Sequence, residues 1–275
     1  MSMLPALIAV APNGARKLKA DHAAVPLTVP ELVDCAVSCL EAGAAMIHLH
    51  VREPSGRHSI APELYRPAIA GIRAALGDKL IIQCTSEAAG IYAAPEQIAA
   101  MRELMPEACS LGIREIVPDA AHEAAAADFL KHMHKAGTLL QYILYSAEDL
   151  QKFRDLVARG IVPGEKHFVL FVLGRYTAGQ QSQPTDLLPF MQLWQPAWGE
   201  FAVCAFGKLE GACAVTALGL GGHARVGFEN NTLLADGSSA PDNAALVRQI
   251  SVGAPFAGRQ TADADAARAW MRDLN

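Results

Sequence analysis

Residues 46–53, MIHLHVRE, set two histidines one position apart inside an apolar run. In a strand, side chains at i and i+2 share a face, so His48 and His50 lie on one side and Ile47, Leu49 and Val51 on the other. An aliphatic face belongs against covering helices, whereas a face carrying two imidazoles has to meet something polar. This strand is therefore expected to be covered by helices on one side and to line a shared interior on the other.

Seven further runs of the same kind surround it: LIAVAP from Leu7, KLIIQCTS from Lys79, ACSLG from Ala108, LLQYILYS from Leu139, HFVLFVLG from His167, EFAVCAFG from Glu200 and HARVGF from His223. Ala-rich helical stretches separate them, and no Gly-, Ser- or Pro-rich linker divides the chain. Thr28-Val29-Pro30-Glu31 reads as a capping box with proline in the first turn, and Gly43 closes the helix that follows. Eight alternations in 275 residues predict one α/β domain over residues 1–275, a (β/α)8 TIM barrel. The C-terminal TADADAARAWMRDLN is expected to add a helix outside the barrel. In this fold the aliphatic face of MIHLHV turns to the outer helices, and the histidines point inward near the strand's C-terminal end, where active sites lie.

Composition narrows the function class. The net charge is −5 and the sequence pI near 6.0, with no long basic run, so nothing provides an electrostatic footprint for nucleic acid. Mean hydropathy is +0.19, yet the apolar runs are far too short to span a bilayer as helices. The opening MSMLPALIAVAP lacks a basic n-region and reads as a first strand, so a cytoplasmic protein is expected. Six cysteines are scattered without a C-x-x-C pair, which argues against a thiolate zinc site or a disulfide scaffold and predicts reduced thiols.

Both imidazoles of MIHLHV can reach one ion at about 2.0–2.1 Å. A lone histidine in such a run reads as a hydrogen-bonded core residue; two on one strand face favour a ligand pair. His132-Met133-His134 is an instructive contrast, because it falls in a helical stretch where successive positions turn about 100° and i and i+2 diverge. Near a helix C-terminus that pair reads as solvated positive charge. A catalytic zinc commonly takes three protein ligands, so a third is sought on another strand end. In GGHARVGFENN (residues 221–231), strand alternation puts Arg225 and Glu229 on one face with Gly227 between them, which makes Glu229 the third ligand. Two histidines and a carboxylate also suit non-haem Fe(II), so the donor set leaves the ion open.

These stretches, with VAPNGARKLKADH, EAGAAMIHLHVRE, IIQCTS, PEACSLG, FVLGRYTAGQ and GGHARVGFEN in order along nearly the whole chain, resemble the β-keto acid cleavage enzymes. The resemblance implies a zinc-dependent (β/α)8 barrel, usually a homotetramer, that converts a β-keto acid and acetyl-CoA into acetoacetate and an acyl-CoA. It also implies that His48, His50 and Glu229 hold the zinc, that Arg225 is catalytic, and that Thr85 and Ser110 stand where the family has a base-supporting serine and a substrate-binding threonine. Asn13 is assigned to the substrate side with them.

The departures are as informative. Where the family has an aspartate base directly after its glutamate ligand, this chain has Asn230, and an amide cannot accept a proton at neutral pH. Glu87, on the loop after the third strand where the family has glycine, is the candidate to replace it. Arg16 and Gln141 stand at positions that are acidic in members of that family acting on amine-tailed substrates, which predicts a substrate tail here that is anionic or polar and neutral. Gly174, Arg175 and Gly179 in GRYTAGQQSQP are candidates for contacting CoA or its phosphates, as are Gly219, Gly221 and Gly222. Lys208 could meet a phosphate, and Trp194 and Trp198 are expected to cover core or subunit contacts. Two other readings stay open: a CoA-independent metal aldolase or decarboxylase, and a barrel that binds metal and keto acid without turnover.

Overall fold

The computed structural model describes residues 4–274. Eight parallel strands close a barrel: β1 (Ile8–Val10), β2 (Met46–Leu49), β3 (Ile81–Thr85), β4 (Ala108–Gly112), β5 (Leu139–Leu144), β6 (His167–Leu173), β7 (Gly199–Ala205) and β8 (His223–Val226), with β8 returning to pair β1. Helices follow the strands in turn: α1 (Val29–Glu41), α2 (Pro62–Leu76), α3 (Ala94–Leu104), α4 (Glu123–Lys135), α5 (Ala147–Ala158), the short α6 (Leu188–Met191), α7 (Glu210–Gly219) and α8 (Asn243–Gly253). All eight predicted strands are present. Among the described residues no helix is long and apolar enough to cross a membrane.

The local signals act as the sequence suggests. Thr28 caps α1 in a reciprocal box with Glu31, and Gly43 turns the chain at a φ of 108°. Ile47 and Leu49 are fully buried and join Leu32, Ala36, Tyr65 and Ile72 in the shell between strands and helices. Inside the barrel the side chains form layers. The lower one is apolar, with Leu7, Met46, Ile81, Leu139 and Phe168. Above it the register brings His48 beside Gln83 and Ser110 beside Gln141, so the next layer is polar.

Two expectations need correction. MIHLHV is not one strand: β2 ends at Leu49, and Val51–Arg52 leaves the barrel to pair antiparallel with His58–Ser59 in a small hairpin. HARVGF stops at Val226, because the chain turns at Gly227. The extra C-terminal helix, α9 (Ala264–Arg272), is present as expected, and it closes the lower end of the barrel. There Trp270 stacks on His223 with centroids 4.6 Å apart and meets Phe168 edge-on, and Arg268 pairs with Glu107 at 2.6 Å. The six cysteines are all free. Trp194 packs on Phe171 and Trp198, as a core-covering residue does.

Because Trp270 closes the apolar layer from below, Trp270→Ala should lower unfolding free energy by about 3–5 kcal/mol in urea titration. A loss below about 1 kcal/mol would show that α9 is only an appendage.

Candidate active site

The upper end of the barrel gathers His48, His50 and Glu229. The two imidazole Nε2 atoms lie 3.0 Å apart, and Glu229 Oε2 is 3.6 Å from the first and 3.5 Å from the second. His48 Nδ1 stands 2.8 Å from Gln83 Oε1, and Gln83 Nε2 donates to Gln141 Oε1 at 3.1 Å. With Gln83 offering its oxygen, His48 carries its proton on Nδ1, which leaves the Nε2 lone pair aimed at the site. Burial lowers the His48 pKa to about 4 and holds His50 well below its ordinary value, so both rings are neutral at pH 7. A proton on His50 Nε2 can serve only one of its two neighbours, and Glu229 Oε2 has no hydrogen-bond partner among the described residues. Two imidazole nitrogens and a carboxylate oxygen within 4.8 Å of one another therefore form a donor set that fits a divalent cation.

Glu229 arrives differently from the expectation. It does not alternate with Arg225 along a strand, since β8 has already ended; a turn over residues 227–231 folds it back. At Gly227, with φ 141°, a Cβ would lie 2.4 Å from the Ala11 carbonyl oxygen, so only glycine lets β1 and this turn approach. The Glu229 N–H then donates to Ala11 O at 3.1 Å. Arg225, inward-facing on β8, donates to Glu229 Oε1 at 3.1 Å, reaches Cys204 Sγ at 3.2 Å and lies 3.5 Å from Asn230 Oδ1. Burial by itself would raise the Glu229 carboxyl, but Arg225 and the two histidines hold it well below the usual carboxylate range.

A cleft opens above these residues, walled by Thr85, Glu87, Glu115, Tyr145, Arg175 and Phe206. Glu87 Oε2 comes within 3.8 Å of His50 Nε2 and Oε1 within 3.6 Å of Arg175. Its backbone is pinned on both sides: the N–H donates to Thr85 Oγ1 at 3.0 Å, and the carbonyl accepts from His58 Nε2 at 2.9 Å. Burial, with Glu229 and Glu115 nearby, pushes the Glu87 carboxyl up to about 7. Glu115 is already committed, its Oε2 accepting from Ala88 N and Gln97 Nε2 at 3.0 Å each. The outer mouth is bordered by Asn13, Arg16, Lys17, Asp21 and Gln180.

The structure thus brings together His48, His50, Thr85, Glu87, Arg175, Arg225 and Glu229, with Asn13 and Arg16 at the rim. Asn13 spends its amide nitrogen on Pro26 O at 2.8 Å and His50 O at 3.3 Å. Ser110 and Gln141 are both buried beside the cluster and are not among the residues that wall the cleft: Ser110 Oγ lies 3.5 Å from His48 Nδ1, and Gln141 accepts from Gln83. Asn230 is buried behind Arg225. Gly174 packs against the Gln181 backbone of its own loop, whereas Gly179 is open. Arg175, expected to meet CoA, is turned toward Glu87 and over the Phe206 ring. Lys208 borders a separate hollow with Thr177, Gln181 and Asp186. Two contributors were missed. Gln83 was visible as a lone amide on the inward face of an apolar strand, but Glu210, buried beside Asn230, reads in sequence as an ordinary acidic residue at a helix start.

Comparison with known proteins agrees with this architecture. The chain is 31% identical over 271 residues to the 3-keto-5-aminohexanoate cleavage enzyme of Acetoanaerobium sticklandii, covering 95% of this chain and 96% of that one. It is also 31% identical to the 3-oxoadipate:acetyl-CoA acetyltransferase of Cupriavidus necator, covering 97% and 94%. Among solved structures, ObcA in its binary complex with oxaloacetate aligns with a TM-score of 0.72 at 16% identity, over 91% of this chain and 67% of that one, and so shares the fold. The beta-keto acid cleavage enzyme family model matches residues 5–272, and the chain belongs to that family.

Proposed function

We propose that the protein exchanges acyl groups between a β-keto acid and acetyl-CoA, releasing acetoacetate and a new acyl-CoA, with a divalent metal, zinc in the simplest case, held by His48, His50 and Glu229. The observation that carries this reading is the convergence of three ligand atoms on the cleft that also holds Glu87 and Arg225. In the balanced reaction the C2–C3 bond of the keto acid breaks, its acyl half leaves on the CoA sulfur, and its carboxymethyl half takes the acetyl group. The metal, when bound, supplies a Lewis acid for the substrate's keto oxygen.

The chain's own residues do the rest. Glu87 removes the proton from C2: Asn230 cannot, Glu229 is assigned to the metal, and Glu115 is occupied by two donors, which leaves Glu87, 3.8 Å from His50 Nε2. Thr85 positions that base through the Glu87 N–H. Arg225 keeps Glu229 ionised and sets a fixed positive charge beside the reacting carbons, where it anchors the substrate carboxylate. Ser110 acts through His48, and Gln141 through Gln83, which holds that ring. Arg16 and Lys17 give the outer mouth a positive side, which favours an anionic or polar neutral tail; the C. necator relative is named for 3-oxoadipate. The loop carrying Gly174, Arg175 and Gly179 borders the same mouth and offers CoA its approach. One catalytic domain, a homotetramer and a cytoplasmic setting complete the proposal; light scattering in solution tests the oligomer.

Acetoacetate release should require acetyl-CoA and a loaded metal, and 3-oxoadipate should outperform an amine-tailed keto acid of equal length. Reversal of that order in the wild type would remove the role given to Arg16, and acetyl-CoA-independent cleavage would replace the reaction with an aldolase or decarboxylase. Glu87→Gln should lower kcat by about 10²–10⁴-fold, the usual effect of losing a general base. An unchanged kcat would exclude Glu87. Gln83→Leu should weaken zinc binding about 10–100-fold in competition with a chromogenic chelator, because His48 loses the acceptor that fixes its tautomer.

A further inference from the structure

Glu210 opens α7 yet is only 2% exposed, and among the described residues no cation lies in direct contact with its carboxylate. Its surroundings are all N–H donors from the turn that carries Glu229. Oε1 accepts from Gly227 N at 3.0 Å and from Asn230 Nδ2 at 3.3 Å, and Oε2 accepts from Asn231 Nδ2 at 3.4 Å. The loop before α7 joins the same arrangement, with Gly207 N donating to Asn230 O at 3.1 Å.

Burial pushes the Glu210 carboxyl up to about 8, while the three donors pull the other way. A proton on it would have no acceptor. The Asn231 oxygen is taken by Leu233 N at 3.0 Å while its nitrogen donates to Leu233 O at 2.6 Å. The Asn230 oxygen faces Arg225 while its nitrogen points to Arg225 O at 3.4 Å, so neither amide can flip without opposing like groups. The arrangement selects the anion.

We infer that Glu210 is the positioning residue of this site: its buried carboxylate gathers the Gly227, Asn230 and Asn231 N–H groups, and by doing so sets the turn that presents Glu229 and directs the Asn230 oxygen toward Arg225. Glu210 touches neither the ligand atoms nor the cleft. It acts through the backbone of residues 227–231 and through one amide whose two ends are chemically distinct. The inference rests on the metal-site part of the proposed function, and not on the acyl exchange.

The test is a double-variant cycle of Glu210→Gln and Asn230→Asp, read by zinc affinity in chelator competition and by thermal unfolding of the metal-free proteins. Glu210→Gln turns an amide N–H toward other N–H donors and should weaken zinc binding about 10–100-fold while the protein still unfolds cooperatively. Asn230→Asp places two carboxylates at a hydrogen-bond distance, and should lower both the melting temperature and the zinc affinity. The double variant again holds one carboxylate and one amide, and should bind zinc at least tenfold more tightly than Asn230→Asp alone. Zinc affinity within threefold of wild type in folded Glu210→Gln would overturn the inference, as would single losses that simply multiply in the double variant. If Glu210→Gln does not fold, the comparison of Asn230→Asp with the double variant still decides. Zinc titration needs no turnover, so wild type that binds zinc but releases no acetoacetate would sink the acyl exchange and leave the clamp standing.

Discussion

Two neutral imidazoles facing each other across 3.0 Å in a buried interior constrain everything built around them. Each buried acceptor left without a partner costs about 1–3 kcal/mol, and here two ring nitrogens and a carboxylate oxygen converge. The barrel below can tolerate this because its lower layer is apolar and sealed by Trp270, so the cost is concentrated at one end. The amide ladder from Gln141 through Gln83 to His48 is the structural consequence: it removes the freedom of one ring to turn away. His50 is held by position instead. Its Nδ1 has no partner among the described residues, while its own carbonyl receives the Asn13 amide, which ties the loop after β1 to the end of β2.

A ligand on a strand inherits the stiffness of the sheet, whereas a ligand on a turn has to be held separately. Glu229 shows what that requires. Three buried groups from different parts of the chain fix the turn: the Ala11 carbonyl, the Glu210 carboxylate, and Asn243, which accepts from Phe228 N at 2.8 Å and donates to Pro12 O at 3.1 Å. At Gly14, where φ is 56°, a Cβ would come within 2.4 Å of the Glu229 side chain, so the first loop also gives way to the ligand. The buried Arg52 guanidinium in turn donates to the carbonyl of that glycine. The precision of the third ligand therefore depends on contacts spread from residue 11 to residue 243.

This spread explains what the sequence could and could not disclose. The barrel was legible because strand period and helix caps are local signals, and eight of them recur at regular spacing. The histidine pair was legible for the same reason: period two places His48 and His50 together without knowledge of the rest. Glu229 was identified correctly as a residue of the cluster but by a faulty route, since alternation cannot operate beyond Val226, where the strand has ended. Ser110 and Gln141 were assigned to the substrate by resemblance alone, and resemblance does not disclose their hydrogen-bond partners. That Ser110 meets His48 and Gln141 meets Gln83 emerges only when neighbouring strands are laid side by side. Glu210 carried no signal, because its partners lie 17 to 21 residues ahead and its burial depends on a turn it helps to form.

Charge in the cleft follows the same division between depth and rim. Deep in the site Glu87, Glu115 and Glu229 face Arg175 and Arg225, so the carboxylates there outnumber the guanidiniums until a divalent cation joins His48, His50 and Glu229. On the proposed reading, a cation there would reverse that balance and favour an anionic substrate. Arg175 already leans on Glu87 at 3.6 Å, so it neutralises the wall rather than offering a free charge to the substrate tail. At the rim Arg16 and Lys17 stand against Asp21, and these exposed groups are screened by salt over about 8–10 Å. The proposed function would place recognition of the common carboxylate where water is excluded and the field is strong. It would leave discrimination between tails to the solvated mouth, where each charge is worth less and Arg16 stands apart from His48, His50 and Glu229.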